Sequence, residues 1–336
     1  MRLPILSIII PMYKVADYLT RCIESLEAQD IPQSDYEIIC INDGSPDNCK
    51  EIIENFQKKY PNIILLNQEN QGVSVARNNG IAIAKGKYIL PIDPDDYVVK
   101  NSLKRLVTLV EQTESDVVYL GYEFFDAEEQ SIWKTNYTKQ HHQLFDGVEG
   151  YFESRGKDVK DPDRSVAILY KKELLDAYQI TYPKNVPYLE DGLFLAKVFA
   201  VAKKVSFDET IFYQRTTRKG SATNSKLFYS EQANVGFIIA IQDIKAFSCQ
   251  YPLTEKQKEL VNHTIAKFTL LALNPLINQL RYFEYRKVVR LLKEYKLFHI
   301  ENKGIRNPYD SLVNVYNLSS NIYFFYYIYI LKFKKI

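Results

Sequence analysis

The chain has 336 residues, of which 46% are hydrophobic and 25% are charged, so it is long enough for two compact units and its composition excludes a disordered protein. Its formal net charge of +2 does not favour a nucleic-acid partner. The four cysteines include no Cys-x-x-Cys pair, which favours reduced thiols in the cytosol over a disulfide framework or a zinc site. We expect no secretory signal peptide, and no apolar run approaches the roughly 20 residues that span a bilayer.

The first 120 residues alternate between short apolar segments, which predict buried strands, and amphipathic segments, which predict helices. The predicted strands are 6–10, which Pro11 ends, 36–41, 63–66, 88–92 and 117–120. The predicted helices are 15–29, one that begins at Asp47, 73–84 and 102–113. This order indicates an α/β fold with a mostly parallel sheet that helices cover on both faces. Long helical patterns begin near residue 228, so we predict a first domain at 1–225 and a helical region at 226–336.

Polar residues follow the predicted parallel strands, at the edge where such sheets bind ligands. The most informative of them are Asp93, Asp95 and Asp96, three carboxylates within four residues directly after strand 88–92. Like charges at this spacing need a cation or buried donors to hold them. Carboxylate oxygens are suitable ligands for a hard divalent metal that neutralises phosphates. A solvated Asp-Pro turn is the alternative.

Two further motifs have both a functional and a plain structural interpretation. Asp43 follows the second strand, where its carboxylate can accept the imide N–H of a uracil or form a tight Asp-Gly turn. Arg77 lies in the third predicted helix, where its guanidinium can pair with phosphate oxygens or lie on the helix surface.

The same ambiguity holds further along the chain. Glu190 and Asp191 precede an apolar helical stretch and can supply a general base or only favour the helix macrodipole. Arg215 and the basic segment Arg218–Ser221 follow a short strand, where they can cover phosphates or lie on a solvated surface.

In this order, the motifs resemble those of the family-2 glycosyltransferases, which have the GT-A type of nucleotide-sugar fold, Rossmann-like with a mostly parallel sheet. The resemblance covers roughly residues 5–225. It rests on five segments in the family's order and spacing: Ser7–Tyr13, Ile41–Ser45, Asn70–Asn78, Gly86–Asp96 and Glu190–Asp191. Lys14 stands where many members carry Asn, and Pro94 where Ser is common, but neither departure removes a charged group.

The resemblance implies a UDP-sugar donor and a divalent cation, Mg²⁺ or Mn²⁺. The residues that would bind the nucleotide are Pro11, Tyr13, Asp43, Arg77 and Asp93. Asp95 would hold the cation on the diphosphate, with Asp93 as a second ligand or a ribose contact. Asp191 would take the proton of the acceptor hydroxyl, and Glu190 would shape the acceptor site. Arg215 is a further candidate for the acceptor site or for a loop over the phosphates.

The implied reaction is a direct displacement with inversion at the anomeric carbon. The acceptor would be a saccharide, free or lipid-linked, in the synthesis of a bacterial capsule or cell-wall polysaccharide. A cation on the leaving diphosphate would stabilise its developing charge. The sequence does not indicate which sugar is transferred.

Three other functions are possible for a sheet of this kind. A sugar-nucleotide nucleotidyltransferase would carry a Gly-rich, Arg-containing loop after the first strand, and a dinucleotide oxidoreductase would carry a G-x-G-x-x-G turn there. Residues 11–14, Pro-Met-Tyr-Lys, match neither. A non-catalytic nucleotide-sugar-binding or scaffold protein is the third, and the intact acidic residues argue against it.

The C-terminal tail, residues 321–336, combines ten apolar or aromatic residues at 322–331 with Lys332, Lys334 and Lys335. The apolar run is too short to span a bilayer, whereas aromatic rings and lysines favour a membrane interface with anionic headgroups. We therefore expect a cytoplasmic protein with peripheral contact to the cytosolic face of the membrane. A buried final helix or a dimer contact explains the tail equally well.

Overall fold

The computed structural model describes residues 3–156, 163–217 and 230–333. The predicted basic segment 218–221, together with Lys334 and Lys335, lies outside these residues. The chain divides into two compact units, one formed by Met1–Lys184 and Val201–Ala222, the other by Asn185–Ala200 and Thr223–Ile336. Residues 185–200 are therefore grouped with the helical part of the chain, and a functional boundary at residue 225 stays a prediction.

Nine strands of the described residues form one sheet in the first unit. They are β1 Leu6–Met12, β2 Tyr36–Asp43, β3 Ile63–Gln68, β4 Tyr88–Pro91, β5 Tyr97–Val98, β6 Val117–Phe125, β7 Ser131–Lys134, β8 Ile168–Lys171 and β9 Val205–Arg215. Their order is β3-β2-β1-β4-β8-β6-β9-β5, and β7 pairs with β6. Because β8, β5 and β7 run antiparallel to their neighbours, the strands β1, β2, β3, β4, β6 and β9 share one direction. The predicted mostly parallel sheet is confirmed, and the antiparallel strands make it a mixed one.

Helices account for most of the remaining described residues. Those before residue 185 are α1 Ala16–Glu27, α2 Cys49–Gln57, α3 Val73–Ile83, α4 Leu103–Thr113, α5 Gly147–Glu153 and α6 Lys172–Ala177. Those after it are α7 Glu190–Val201, α8 Glu231–Gln250, α9 Glu255–Asn278, α10 Tyr282–Glu294, α11 Tyr309–Leu318 and α12 Ser320–Phe333. Helices α1 to α4 begin within two residues of the predicted positions, and the helical C-terminal region is confirmed.

The core of the first unit lies on both faces of β1 and β2, whose residues are all buried and mostly apolar. One face packs against the apolar stripe of α1. The buried residues of that contact include Leu6, Ile8, Ile10, Leu19, Cys22, Ile23 and Leu26. On the other face, a Cβ added to Gly80 of α3 would lie 2.7 Å from Ile41 and 2.8 Å from Ile9, so this helix packs closely against the sheet.

The first strand is longer than predicted, because β1 continues through Pro11 to Met12. The Ile9 carbonyl accepts a hydrogen bond from the Ile92 N–H at 3.0 Å, and Pro11, two residues on, faces the same side of the strand. The pairing with β4 ends at Ile9. Since no β4 residue stands opposite Pro11, its missing N–H removes no hydrogen bond from the sheet.

Candidate functional site

The turn between β4 and β5 brings the three predicted carboxylates together. Oxygen atoms of Asp93, Asp95 and Asp96 all lie within 4.8 Å of one another. The Asp96 N–H donates to the Asp93 carbonyl at 3.1 Å and closes the turn. Because β4 is paired in parallel with β1, this acidic turn projects from the carboxyl ends of the parallel strands.

Asp96 is the buried member of the acidic turn and anchors it to β9. One of its carboxylate oxygens accepts from the Tyr213 hydroxyl at 2.6 Å and the other from the Thr216 N–H at 2.8 Å. The Tyr213 hydroxyl in turn accepts from the Asp93 N–H at 3.1 Å. Burial is the main reason that the pKa of Asp96 is raised well above its usual value, and the negative charges of Asp93 and Asp95 raise it further. Sequence reasoning did not assign Asp96 a role, because the spacing of the triplet does not show which carboxylate faces inwards.

Arg77 is held by the acidic turn. Its guanidinium donates to the Asp93 carboxylate at 2.8 Å and lies 5.1 Å from the centre of the Tyr182 ring. Arg77 is buried, whereas the Asp93 side chain is 36% exposed. The surface-arginine alternative is therefore wrong, and a direct contact with a nucleotide stays a prediction.

Tyr182 was not predicted as a site residue. Asn78, which follows Arg77 in the sequence, holds the backbone of Tyr182 in place. The side-chain amide of Asn78 donates to the Tyr182 carbonyl and its oxygen accepts from the Tyr182 N–H, both at 2.8 Å. Asn78 belongs to segment 70–78, which takes part in the family resemblance, but its partner is 104 residues away in the sequence. The local spacing of residues in the sequence therefore does not predict this contact.

Asp43 organises the loop that leads into α3. One carboxylate oxygen accepts from the Gln68 side chain and the Gln71 N–H, both at 2.8 Å, and the other accepts from the Gly72 N–H at 2.9 Å. Gly72 has φ of +87°, a conformation that side chains rarely adopt. The interpretation of Asp43 as part of a tight turn is thus incomplete, because its carboxylate also binds the loop between β3 and α3.

The loops after β1 and β2 are joined by a short hydrogen-bond network. Ser45 accepts from the Lys14 N–H at 2.7 Å and donates to Asp47 at 2.6 Å, and Asp47 also accepts from the Ala16 N–H at 3.0 Å. Burial alone would raise the pKa of Asp47, but hydrogen bonds from Cys49, Ser45 and Ala16 lower it to about 2. This network fixes the backbone on both sides of the predicted base and ribose site.

The two residues predicted to line that site differ in exposure. Pro11 is buried at the end of β1, whereas Tyr13 is 42% exposed with the Lys14 ammonium 5.2 Å from its ring centre. An exposed aromatic ring at a strand end is available for stacking on a base. Both roles stay predictions.

Arg215 ends β9 on the same unit. Its guanidinium lies 4.6 Å from the centre of the Phe124 ring. Burial lowers the pKa of Arg215, but Tyr122 and the carboxylates of Asp96 and Asp93 raise it by more, so the net shift is upward. Arg215 therefore lies within the electrostatic field of the acidic turn.

Glu190 and Asp191 occupy the first turn of α7, in the second unit, and both are partly buried. Acidic residues at this end of a helix are stabilised by the macrodipole. The predicted roles of Asp191 as general base and of Glu190 in the acceptor site stay predictions.

A cavity of about 240 Å³ adjoins the acidic turn within the first unit. Asp95 and Asp96 line it together with Tyr18, Arg21 and Thr216. Arg21 forms an ion pair with Glu129 at 3.0 Å and lies 3.7 Å from the centre of the Tyr97 ring. These residues are remote in sequence, and local motifs did not predict that they border the carboxylates.

Residues 7–172 match the family model for glycosyl transferase family 2. The chain is 33% identical over 220 residues to the uncharacterized glycosyltransferase EpsJ of Bacillus subtilis strain 168, covering 63% of this chain and 61% of that protein. It is 28% identical over 253 residues to the poly(ribitol-phosphate) beta-glucosyltransferase of Bacillus spizizenii, covering 71% of this chain and 36% of that protein. The chain thus spans less than two thirds of the length of each of these relatives.

Solved structures show the same fold. The crystal structure of Staphylococcus aureus TarS 1–349 in complex with UDP-GlcNAc matches with a TM-score of 0.76 at 18% identity, over 97% of this chain and 91% of that one. The structure of TarS 1–349 in complex with UDP matches with a TM-score of 0.72. The GT-A type fold is confirmed, and through residues 7–172 this chain belongs to glycosyl transferase family 2.

Proposed function

We propose that this chain is an inverting glycosyltransferase that moves a sugar from a UDP-sugar to a hydroxyl of a saccharide acceptor in bacterial surface-polysaccharide synthesis. The acidic turn is the observation that carries this proposal, because it places three carboxylates at the ligand-binding edge of the sheet. The shared fold with TarS, which was crystallised with UDP-GlcNAc, supports a UDP-sugar donor. Two relatives named for transfer to poly(ribitol-phosphate) support a cell-surface polymer.

The acidic turn has a donor set that fits a hard divalent cation. Its carboxylate oxygens lie close together, and hard oxygen ligands favour Mg²⁺ or Mn²⁺. Asp96 is turned inwards to Tyr213 and Thr216, so we assign the cation to Asp95 and Asp93. When bound, the ion supplies Lewis-acid stabilisation of the leaving diphosphate.

The nucleotide would be bound by groups that this chain already holds in place. A carboxylate has about four acceptor positions, so Asp43 can accept a uracil imide N–H beside its three present donors. Tyr13 and Pro11 would contact the base and the ribose. Arg77 offsets one negative charge of the acidic turn through its contact with Asp93.

In the transfer step, Asp191 would accept the proton of the acceptor hydroxyl, whose oxygen attacks the anomeric carbon as the UDP leaves from the opposite face. Glu190 would orient the acceptor, and Arg215 would add positive charge near the phosphates. We place the reaction in the cytosol, because the four free cysteines favour a reducing compartment.

The test is UDP release from a panel that includes UDP-GlcNAc and UDP-glucose, with Mn²⁺ or EDTA. The wild type is compared with Asp95→Ala and Asp191→Ala, and with Asp176→Ala, an exposed carboxylate that pairs with Lys172 away from the acidic turn. We expect metal-dependent release that both site variants lose and that Asp176→Ala retains. Asp191→Ala should still bind UDP, because a general base does not hold the nucleotide.

Other outcomes identify other functions. Metal-dependent UDP binding without release, with ribitol-phosphate polymer and saccharide acceptors both supplied, would favour a non-catalytic nucleotide-sugar-binding protein. Release of pyrophosphate from UTP and a sugar phosphate would favour a nucleotidyltransferase. Absence of UDP binding would overturn the assignment of the nucleotide site.

A further inference from the structure

The final helix is apolar on its outer face as well as on its inner one. Tyr323 and Phe324 are buried, whereas Ile322 is 51%, Phe325 63% and Tyr329 59% exposed. A helix that is apolar all round is usually buried or in contact with a membrane. Helix α12 has 14 residues, about 21 Å, and among the described residues no helix is long and apolar enough to cross a bilayer.

Helix α10 extends this surface. Phe283 is 81% exposed, and the ring of its neighbour Tyr282 lies 6.2 Å from that of Phe325 on α12. We call this surface the apolar face. It consists of Phe283, Leu318, Ile322, Phe325, Tyr326 and Tyr329, which are all exposed.

A row of cations borders the apolar face. Arg286, Arg290 and Lys293, spaced four and three residues apart on α10, line a cavity of about 370 Å³ together with residues 318–321. Arg286 donates to the Asn321 side chain at 2.9 Å, and the Lys293 ammonium lies 4.5 Å from the centre of the Phe298 ring. Within the described parts of the chain, none of the three forms an ion pair with a carboxylate.

The cavity beside this cationic row is lined without negative charge. The residues that line its cavity include no Asp or Glu, and the sequence contains neither after Asp310. Three cations without carboxylate partners repel one another, and an external anion would relieve that repulsion.

We infer that the apolar face and the cationic row together dock on a membrane surface that contains anionic phospholipid. The lipid phosphates would bind Arg286, Arg290 and Lys293, while the exposed aromatic rings enter the interface between headgroups and acyl chains. A second copy of the chain is the poorer occupant, because a two-fold contact would bring two identical cationic rows together. This inference is independent of the transfer reaction.

The test is vesicle flotation of the full chain. Vesicles of phosphatidylcholine alone are compared with vesicles that contain about 30% phosphatidylglycerol. We expect the wild type to float with the anionic vesicles only, and to be released by about 0.5 M NaCl. Arg286→Gln, Arg290→Gln and Lys293→Gln combined should lower the bound fraction at least about tenfold, since each basic residue contributes about fivefold. Phe325→Ser combined with Tyr329→Ser should lower it as well.

Matched controls separate these effects from charge and folding. Lys58→Gln, Lys104→Gln and Lys134→Gln remove three exposed cations from the first unit, and Val235→Ser removes an exposed apolar side chain from α8. Both controls should float like the wild type, and all variants should retain helical circular dichroism and UDP binding. Equal flotation of the wild type and the α10 triple variant would overturn the inference. So would a dimer in sedimentation velocity that the α12 double variant dissociates while lipid binding stays unchanged.

Discussion

Replacing Tyr213 with Phe removes one oxygen atom that holds the acidic turn to β9. The Tyr213 hydroxyl donates to Asp96 at 2.6 Å and accepts from the Asp93 N–H at 3.1 Å. Burial, followed by the charge of Asp96, raises the pKa of Tyr213 well above its usual value, so the group stays a hydroxyl at neutral pH. The substitution keeps the ring and therefore its packing, and only the two hydrogen bonds are lost.

The expected loss of stability follows from these two bonds. A hydrogen bond to a charged group contributes about 1.5–3 kcal/mol, and a bond between neutral groups about 1 kcal/mol. Asp96 keeps its bond from the Thr216 N–H, which limits the loss. We expect the free energy of unfolding of the first unit to fall by about 2–3 kcal/mol.

The cation site should respond as well, because Tyr213 positions two residues of the acidic turn without contacting the ion itself. Loss of such supporting hydrogen bonds typically lowers metal affinity about 10–100-fold. We expect the Mn²⁺ concentration needed for half-maximal UDP binding to rise at least about tenfold.

Urea unfolding followed by tryptophan fluorescence measures the first effect. Trp133 is the single tryptophan of the chain, and its ring lies 5.8 Å from that of Tyr122, which stacks on Tyr213 at 5.6 Å. The signal therefore reports on the unit that contains the substitution. Titration of Mn²⁺ at fixed UDP concentration measures the second effect.

Tyr170→Phe is the matched control, because Tyr170 is also fully buried in the first unit and its hydroxyl donates to the Ser165 carbonyl at 2.9 Å. We expect this neutral bond to contribute about 1 kcal/mol and its loss to leave Mn²⁺ dependence unchanged. If the two variants lose the same stability and Tyr213→Phe binds Mn²⁺ like the wild type, Tyr213 does not hold the acidic turn.

Three further variants test the loops around the sheet edge. Asp43→Asn should lower UDP affinity in calorimetric titration at least about tenfold, because the amide offers fewer acceptor positions to the Gln71 and Gly72 N–H groups; unchanged affinity would argue against a uracil contact. Gly72→Ala should lower the free energy of unfolding by about 1–3 kcal/mol through backbone strain alone, since no atom lies within 4 Å of the added Cβ; a loss near zero would show that the loop adapts. For Asp47, hydrogen bonds lower the pKa from 3.8 to about 2 on folding, so its contribution, which solvent screening limits to about 1 kcal/mol, is complete above about pH 5 and is lost as the pH falls towards 2. The stability difference between the wild type and Asp47→Asn should shrink over that range, and a constant difference would contradict the assignment.

The parallel half of the sheet was predictable because each of its elements has a strong local signal. Segments such as 36–41 and 63–66 are mostly apolar and of strand length, and the helices between them have clear apolar stripes. The strands β5, β7 and β8 were not predicted. β5 has two residues, and β7 is mostly exposed, so neither offers the apolar run on which strand prediction depends.

The site was predictable as a set of carboxylates, but the groups that position them were not. Asp93 and Asp95 stand out because their charges are crowded in sequence. Tyr213 is 117 residues from Asp96, and Tyr182 is 104 residues from Asn78. Such contacts arise from the pairing of distant strands and loops, and no local spacing encodes them.

The role of Arg77 can be decided by a substitution that keeps its charge. Arg77 is buried and already pairs with Asp93 at 2.8 Å, so a move to a phosphate would leave that carboxylate without its cation. We therefore expect Arg77 to orient Asp93 for the ion, and Arg77→Lys, which retains the charge but loses the fork of donors, to weaken only the metal-dependent part of UDP binding. Calorimetric titration with UDP in EDTA and in Mn²⁺ separates the two parts. A matched loss of affinity in EDTA would show instead that the guanidinium contacts the nucleotide directly.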